Sequence, residues 1–179
     1  KDSRFEKSLI LDLLLSESIA EKFDISQDDM GKIEKMADDA GILWGQDQTH
    51  RQDMGFPPFS ENTWEFGLNR LFMGMAMPEA YDDLIEGVLP CESFEGLDLE
   101  VLGKLAAFTR TLFSGLADLA GLKNVGDWCR VLRHISFSLL ERRAATAEDL
   151  SFLLETLNDI ETGAERAGFC DLLSFEIIH

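Results

Sequence analysis

The chain has 179 residues, of which 45% are hydrophobic, and its formal net charge is −18. The length suits one domain with a sizeable core, and we predict a single domain over residues 1–179. So acidic a chain is not, as a whole, an electrostatic clamp for DNA, because DNA affinity comes mainly from Lys and Arg side chains that neutralise phosphates. No apolar run approaches the ~20 residues that span a bilayer, so we expect no membrane contact and a cytoplasmic chain.

The first part of the chain carries three serines that can each cap a helix, namely Ser3, Ser16 and Ser26. They predict a helix over about 4–15, in which Glu6 completes a capping box with Ser3, then a short helix, then a third helix over about 27–40. Residues 41–61 contain several Gly and Pro residues and are predicted to form one long loop.

A central helix follows, and the sequence contains signals for both of its ends. Asn62 is the predicted N-cap, Glu65 can complete a capping box, and Pro78 ends the helix. A predicted core stripe repeats at spacings of three and four, and consists of Trp64, Leu68, Leu71, Phe72 and Met75. Gly67 and Gly74 lie seven residues apart on one face, which predicts that another helix packs closely there.

Three long helices are predicted after a second irregular stretch over about 78–97. They cover about 99–120, 125–142 and 147–167, with caps at Asp98, Asn124 and Thr146. No run of alternating polarity bounded by turn residues is present, so we predict an all-α fold. The predicted architecture is a single multi-helix domain of about six or seven helices.

The sequence shows no set of residues for catalysis, metal binding or cofactor binding. Its three cysteines, Cys91, Cys129 and Cys170, lie about forty residues apart, unlike zinc ligands or a disulfide framework. No G-x-x-x-x-G-K-[ST] is present, and no Asp or Glu is followed two residues later by Lys. We therefore expect no ATP-binding loop, no nuclease site, no metal and no cofactor in this chain.

Positive charge is concentrated in one segment. Residues 101–143 hold 7 basic and 3 acidic side chains, whereas residues 1–100 hold 8 basic and 23 acidic ones. Four arginines of the basic segment are predicted to face DNA or an acidic partner, namely Arg130, Arg133, Arg142 and Arg143. Two alternatives stay open: the arginines pair with acids of the same domain, or they complement the dipole at a helix C-terminus.

Three sequence blocks together carry a family resemblance. They are T-W-x-F-G-L-x-R-x-x-x-G-x-A-M at residues 63–77, A-G-I-L-W-G at residues 40–45 and V-L-P-C-E-S at residues 88–93. They resemble the gamma subunit of exodeoxyribonuclease V, the RecC family, in which an aromatic residue stands where this chain has Cys91. The motif residues that the resemblance marks as structural are Trp44, Gly45, Trp64, Phe66, Gly67, Leu68, Arg70 and Gly74.

The resemblance implies a role that the residues alone do not. It implies the helical domain inserted in a degenerate helicase core, within the non-catalytic subunit of a bacterial ATP-dependent helicase–nuclease. The expected partners are DNA and the RecB-like and RecD-like subunits, in double-strand-break repair and homologous recombination. We also expect the chain, which begins K-D-S, to be a piece of a longer protein. The alternative is a stand-alone acidic helical adaptor with no DNA role.

Overall fold

The structure is a computed structural model that describes residues 3–76, 89–91, 98–141 and 147–178. Its regular elements are helices, which confirms the all-α class, and the described ranges hold no strand beyond an isolated bridge between Lys123 and Leu173. The helices are α1 (Lys7–Leu13), α2 (Glu17–Lys22), α3 (Gln27–Asp39), α4 (Gln48–Asp53), α5 (Trp64–Ala76), α6 (Asp98–Asp118), α7 (Val125–Leu139), α8 (Ala147–Ala167) and α9 (Phe175–Ile178). Six of these nine described helices have seven residues or more.

Two of the predicted caps form as the sequence indicates. The Ser26 hydroxyl accepts from the Asp29 N–H at 3.2 Å, and the Asp29 carboxylate accepts from the Ser26 N–H at 2.9 Å, which makes a complete capping box for α3. The Asn124 side chain accepts from the Asp127 N–H at 2.8 Å at the start of α7. Both α3 and α7 also have an acidic residue in the first turn, where the helix dipole favours a negative charge.

The predicted capping box at Ser3 is wrong. The Ser3 hydroxyl accepts from the N–H of Phe5 at 3.3 Å, and Phe5 has a positive φ of 51°. The chain therefore turns at Phe5, and α1 begins only at Lys7, with Glu6 as an N-cap whose side chain makes no capping bond.

The predicted N-cap of the central helix is also wrong. Asn62 has a φ of 63°, and its side-chain amide donates to the carbonyl of Gly41 at 2.6 Å. Thr63 caps α5 instead, because its hydroxyl accepts from the N–H of Phe66 at 3.3 Å. Asn adopts the left-handed conformation more readily than most residues, so Asn62 shapes the turn and leaves the capping to its neighbour.

Part of the predicted loop over residues 41–61 is helical. Asp47 caps α4, accepting the N–H of His50 with its side chain at 2.7 Å. The helix has only six residues and little apolar periodicity, so the sequence carried no pattern for it.

The buried face of α5 differs in detail from the predicted stripe. Trp64 and Leu71 are completely buried, Leu68 and Met75 are half-buried, and Phe72 is 40% exposed. The buried face instead continues through the glycines, since Gly67 and Gly74 are buried as well.

Residues outside the helices pack on the glycine face of α5: the side chain of Ile42 at Gly67 and the backbone of Cys91 at Gly74. A Cβ at Gly67 would overlap Ile42, just past the end of α3, and one at Gly74 would overlap the carbonyl group of Cys91. Glycine at these two positions therefore permits close approach of non-helical segments, which corrects the prediction of a packed helix.

The described residues cluster into two compact units, Lys1–Ala107 and Phe108–His179. The largest completely buried side chains of the first unit are Ile10, Leu14, Ile33, Met36, Ile42, Trp64, Leu71, Leu102 and Leu105. In the second unit Trp128 is completely buried, and its indole N–H donates to the carbonyl of Leu173 at 2.9 Å. The single-domain organisation over residues 1–179 stays a prediction.

Candidate functional site

The two main motif blocks bind each other through their backbones. The carbonyl of Gly45 accepts from the N–H of Trp64 at 2.9 Å, and the N–H of Gly45 donates to the carbonyl of Arg4 at 2.8 Å. The indole N–H of Trp64 donates to the carbonyl of Phe5 at 3.0 Å. These bonds satisfy backbone groups at the start of α5 and fix where the preceding loop lies.

Arg70 binds two separate segments of the chain to α5. Its Nε donates to the carbonyl of Leu89 at 2.8 Å, and its Nη1 donates to the carbonyl of Ala40 at 2.9 Å. The carbonyl of Arg70 in turn accepts from the N–H of Cys91 at 3.1 Å. Hydrogen bonds from a guanidinium are stronger than neutral ones, so Arg70 holds the end of α3 and residues 89–91 against the helix.

Phe66 and Leu68 take a lesser part in this cluster. Both are half-buried on α5, and the N–H of Phe66 binds the capping hydroxyl of Thr63. That these motif residues are structural stays a prediction.

Arg51 is an important residue that the sequence pattern did not reveal. It is buried, its Nη1 donates to the carbonyl of Phe59 at 3.0 Å, and its Nη2 donates to the carbonyl of Trp44 at 2.9 Å. Its guanidinium lies 4.2 Å from the centroid of the Trp44 ring, within cation–π distance. Burial lowers the pKa of Arg51 from its ordinary value, although arginine remains charged in proteins. Arg51 thus fixes the loop that leads into α5.

The cysteines are free thiols with different surroundings. Cys91 and Cys129 are buried, and their thiols donate to the carbonyls of Asp39 at 3.6 Å and of Leu157 at 3.3 Å. Burial raises the pKa of both thiols, so they are held in the protonated form that donates. Cys170 is exposed.

Two of the four predicted arginines lie in the described part of α7, and both form ion pairs within the same unit. Arg130 binds Asp127 one turn away at 2.7 Å, and Arg133 binds Glu161 of α8 at 2.7 Å. Pairing with acids of the same domain was one of the alternatives that the sequence left open. The predicted residues Arg142 and Arg143 lie outside the described residues.

The described residues show neither a metal site nor a helix that could span a membrane. Within the described ranges, no group of three or more His, Cys, Asp and Glu side chains is placed to hold a metal ion. None of the described helices is long and apolar enough to cross a membrane. The fold and the motif cluster thus define an all-helical domain in which Trp64, Gly45 and Arg70 bind the chain's own backbone.

Comparison with known proteins shows the family. The family model for the RecBCD enzyme subunit RecC fourth domain matches residues 1–179. The RecBCD enzyme subunit RecC of Escherichia coli (strain K12) is 32% identical over 132 residues, which are 74% of this chain and 12% of that relative. The subunit of Buchnera aphidicola (subsp. Acyrthosiphon pisum) is 32% identical over 127 residues, 71% of this chain and 12% of the relative.

A longer match extends over almost the whole chain. The RecBCD enzyme subunit RecC of Haemophilus influenzae is 26% identical over 178 residues, which are 99% of this chain and 15% of that relative. The chain belongs to the RecC family, as its fourth domain. This confirms the resemblance predicted from the motifs. The chain spans only 12% to 15% of the length of these relatives.

Proposed function

We propose that this chain is a non-catalytic domain of a RecC-like gamma subunit within a RecBCD-type enzyme, exodeoxyribonuclease V. The observation that carries the proposal is the match of the RecC fourth-domain family model to residues 1–179. The motif cluster supports a structural role, since the donors of Arg70 bind the carbonyls of Ala40 and Leu89 and not an open pocket. The chain would help to form the path of DNA through the enzyme.

The sequence supports the absence of catalysis in this segment. It has no G-x-x-x-x-G-K-[ST], whose backbone and Lys would bind nucleotide phosphates, and no D/E-x-K. In the proposal, ATP hydrolysis and strand cleavage therefore belong to other parts of the complex. The enzyme as a whole would be an ATP-dependent helicase and exonuclease that acts in double-strand-break repair and recombination.

The proposed partners follow from the name that the relatives share. The matched relatives are RecC subunits of RecBCD enzymes, so we propose RecB-like and RecD-like subunits as partners of the full-length protein. Duplex DNA ends would be the substrate of the assembled complex. The compartment would be the bacterial cytoplasm, where the chromosome lies.

The ion pairs of α7 are compatible with a face toward DNA. The Arg130 side chain is 77% exposed despite its contact with Asp127. Exposed pairs of this kind contribute only about 0–1 kcal/mol, so a phosphate can displace the aspartate at small cost. We therefore retain Arg130 and Arg133, together with Arg142 and Arg143, as the proposed face toward DNA or an acidic partner subunit.

Co-purification of the full-length protein tests the proposal against a stand-alone adaptor. We expect a tagged full-length protein, isolated from its own cells, to carry two partner subunits and to unwind blunt-ended duplex DNA in the presence of ATP. An adaptor whose acidic faces bind basic proteins would instead be isolated without a helicase and without ATP-dependent unwinding. That result would contradict the proposed function.

A further inference from the structure

A groove of about 300 Å³ with both polar and apolar lining residues lies between the second half of α6 and α7, within the unit Phe108–His179. Its base is a close contact of the two helices. A Cβ at Gly115 would lie 3.2 Å from Cγ1 of Ile135, so glycine lets α7 approach α6. Because two packed helices form the walls, the backbone positions from which the lining side chains project are fixed.

The two walls of the groove carry the same arrangement of hydrogen-bond donors. On α6, Arg110 is followed one turn later by Ser114, and on α7, His134 is followed one turn later by Ser138. Residues four apart lie on the same helical face, so each wall presents a nitrogen donor and a hydroxyl to the groove. The arrangement offers a guanidinium, an imidazole and two hydroxyls to one ligand.

Among the described residues, the lining of the groove contains no acid, although the chain has 34 acids. Arg110 is exposed, and no ion pair or hydrogen bond joins its side chain to the described residues. It differs in this from Arg130 and Arg133, which are both paired. An unpaired arginine beside an imidazole and two hydroxyls is a site for an anion with several acceptor oxygens.

We propose that this groove binds a phosphodiester group of the DNA backbone, with Arg110 and His134 as the principal donors. The inference rests on the proposed function, because DNA is present at this surface only in the full complex. Contacts to phosphate fix the position of a strand without reading its sequence. The volume is at the small end of the ~300–1,000 Å³ of ligand sites, which suits one backbone group. The site would therefore hold a strand of any sequence.

The test uses the full-length subunit assembled in its complex, with blunt-ended DNA titrated at several salt concentrations. We expect Arg110→Gln combined with His134→Gln to weaken binding about tenfold. The plot of log K against log salt should also flatten by about 0.7–0.9 for each phosphate that the variant no longer binds. Arg166→Gln is the matched control, because Arg166 is exposed on α8 and does not line the groove. An affinity and a slope equal to those of the control would overturn the inference.

A second pair of variants tests whether a change in net charge alone could account for weaker DNA binding. Ser138→Asp places a carboxylate in the groove, where it repels phosphate, and Ser151→Asp adds the same charge at an exposed position of α8. We expect only the first to weaken DNA binding. Equal effects of the two variants would contradict a phosphate site in the groove.

The outcomes separate this inference from the proposed function. A wild-type complex that neither assembles nor binds DNA would contradict the proposed function itself. If the wild-type complex binds DNA and the groove variants bind it equally well, only the proposal of a phosphate site in the groove is overturned. If the variants lose a partner subunit in gel filtration while the salt slope stays unchanged, the groove holds an acidic protein side chain, and the phosphate proposal is wrong.

Discussion

Gly74 of α5 packs directly on the peptide backbone of Cys91. A Cβ at position 74 would overlap the carbonyl oxygen of Cys91 and lie 3.0 Å from its carbonyl carbon. One turn earlier, the carbonyl of Arg70 accepts from the N–H of Cys91, so the segment is held by its backbone on the same side of the helix. This contact explains why glycine occupies a helix interior, where it costs up to ~1 kcal/mol relative to alanine.

Gly74→Ala should destabilise the chain by about 1–3 kcal/mol, since a backbone obstacle cannot rotate away from an added methyl group. Gly31→Ala is the matched control, because Gly31 lies within α3 with no heavy atom within 4 Å of an added Cβ. The control should gain up to ~1 kcal/mol through helix propensity alone. Urea unfolding of the chain measures both, and equal effects would contradict the close packing at Gly74.

Arg51→Lys should destabilise the chain by about 2–4 kcal/mol. The lysine ammonium cannot reproduce the fork that reaches the carbonyls of Phe59 and Trp44, nor the stacking on the Trp44 ring. Hydrogen bonds to a charged group contribute about 1.5–3 kcal/mol each. Arg166→Lys, at an exposed position of α8, should change the free energy of unfolding, measured in urea, by less than about 0.5 kcal/mol. A tolerated Arg51→Lys would show that the loop does not depend on the guanidinium.

Two local capping signals were predicted correctly from the sequence, whereas the local capping box at Ser3 and the long-range backbone contacts were not. The caps Ser26 and Asn124 depend on bonds to residues three positions away, and both were predicted. Asn62 and Thr63 can each cap a helix. The bond from Asn62 to Gly41, 21 positions away, decides between them. A backbone carbonyl has no sequence signature, so the partners of Arg51 could not be predicted.

The candidate site was predicted as a set of arginines, without their partners. Arg133 pairs with Glu161, which lies 28 positions away on another helix. The sequence contains many other acids that could have been its partner. The groove likewise brings Arg110 and His134 together from different helices. Helical periodicity predicts which face a residue lies on, but the neighbour of that face depends on how the helices pack.

His50 should make the stability of the chain depend on pH. Its ring stacks on Phe5 with centroids 4.5 Å apart, and its Nδ1 accepts from the N–H of Gln46 at 3.4 Å. Burial lowers the pKa of His50 below its ordinary value of 6.5. The unfolded chain therefore binds a proton more readily, so this contribution is complete above about pH 6.5 and decreases as the pH falls below it.

The measurement for His50 is the free energy of unfolding between about pH 7.5 and about 5.5, the range in which an ordinary histidine titrates. His50→Gln should lose less stability over this range than the wild type does. If His50→Gln follows the wild-type curve, the half-buried imidazole is not the source of the pH dependence.

Arg130 and Arg133 should contribute to DNA binding by the full complex if their face is turned toward DNA. Replacing both with alanine should then flatten the plot of log K against log salt by about 0.9 for each duplex phosphate that is no longer bound, or about 0.7 on a single strand. Asp127→Asn distinguishes a DNA-binding role of Arg130 from a purely structural ion pair, because it removes the acid that Arg130 binds at 2.7 Å. Freed from that pair, Arg130 should bind DNA more tightly, whereas a structural pair would lose only about 0–1 kcal/mol of stability. If the double variant keeps the wild-type salt dependence of DNA binding and still assembles with its partner subunits, these two arginines contact neither DNA nor a partner subunit.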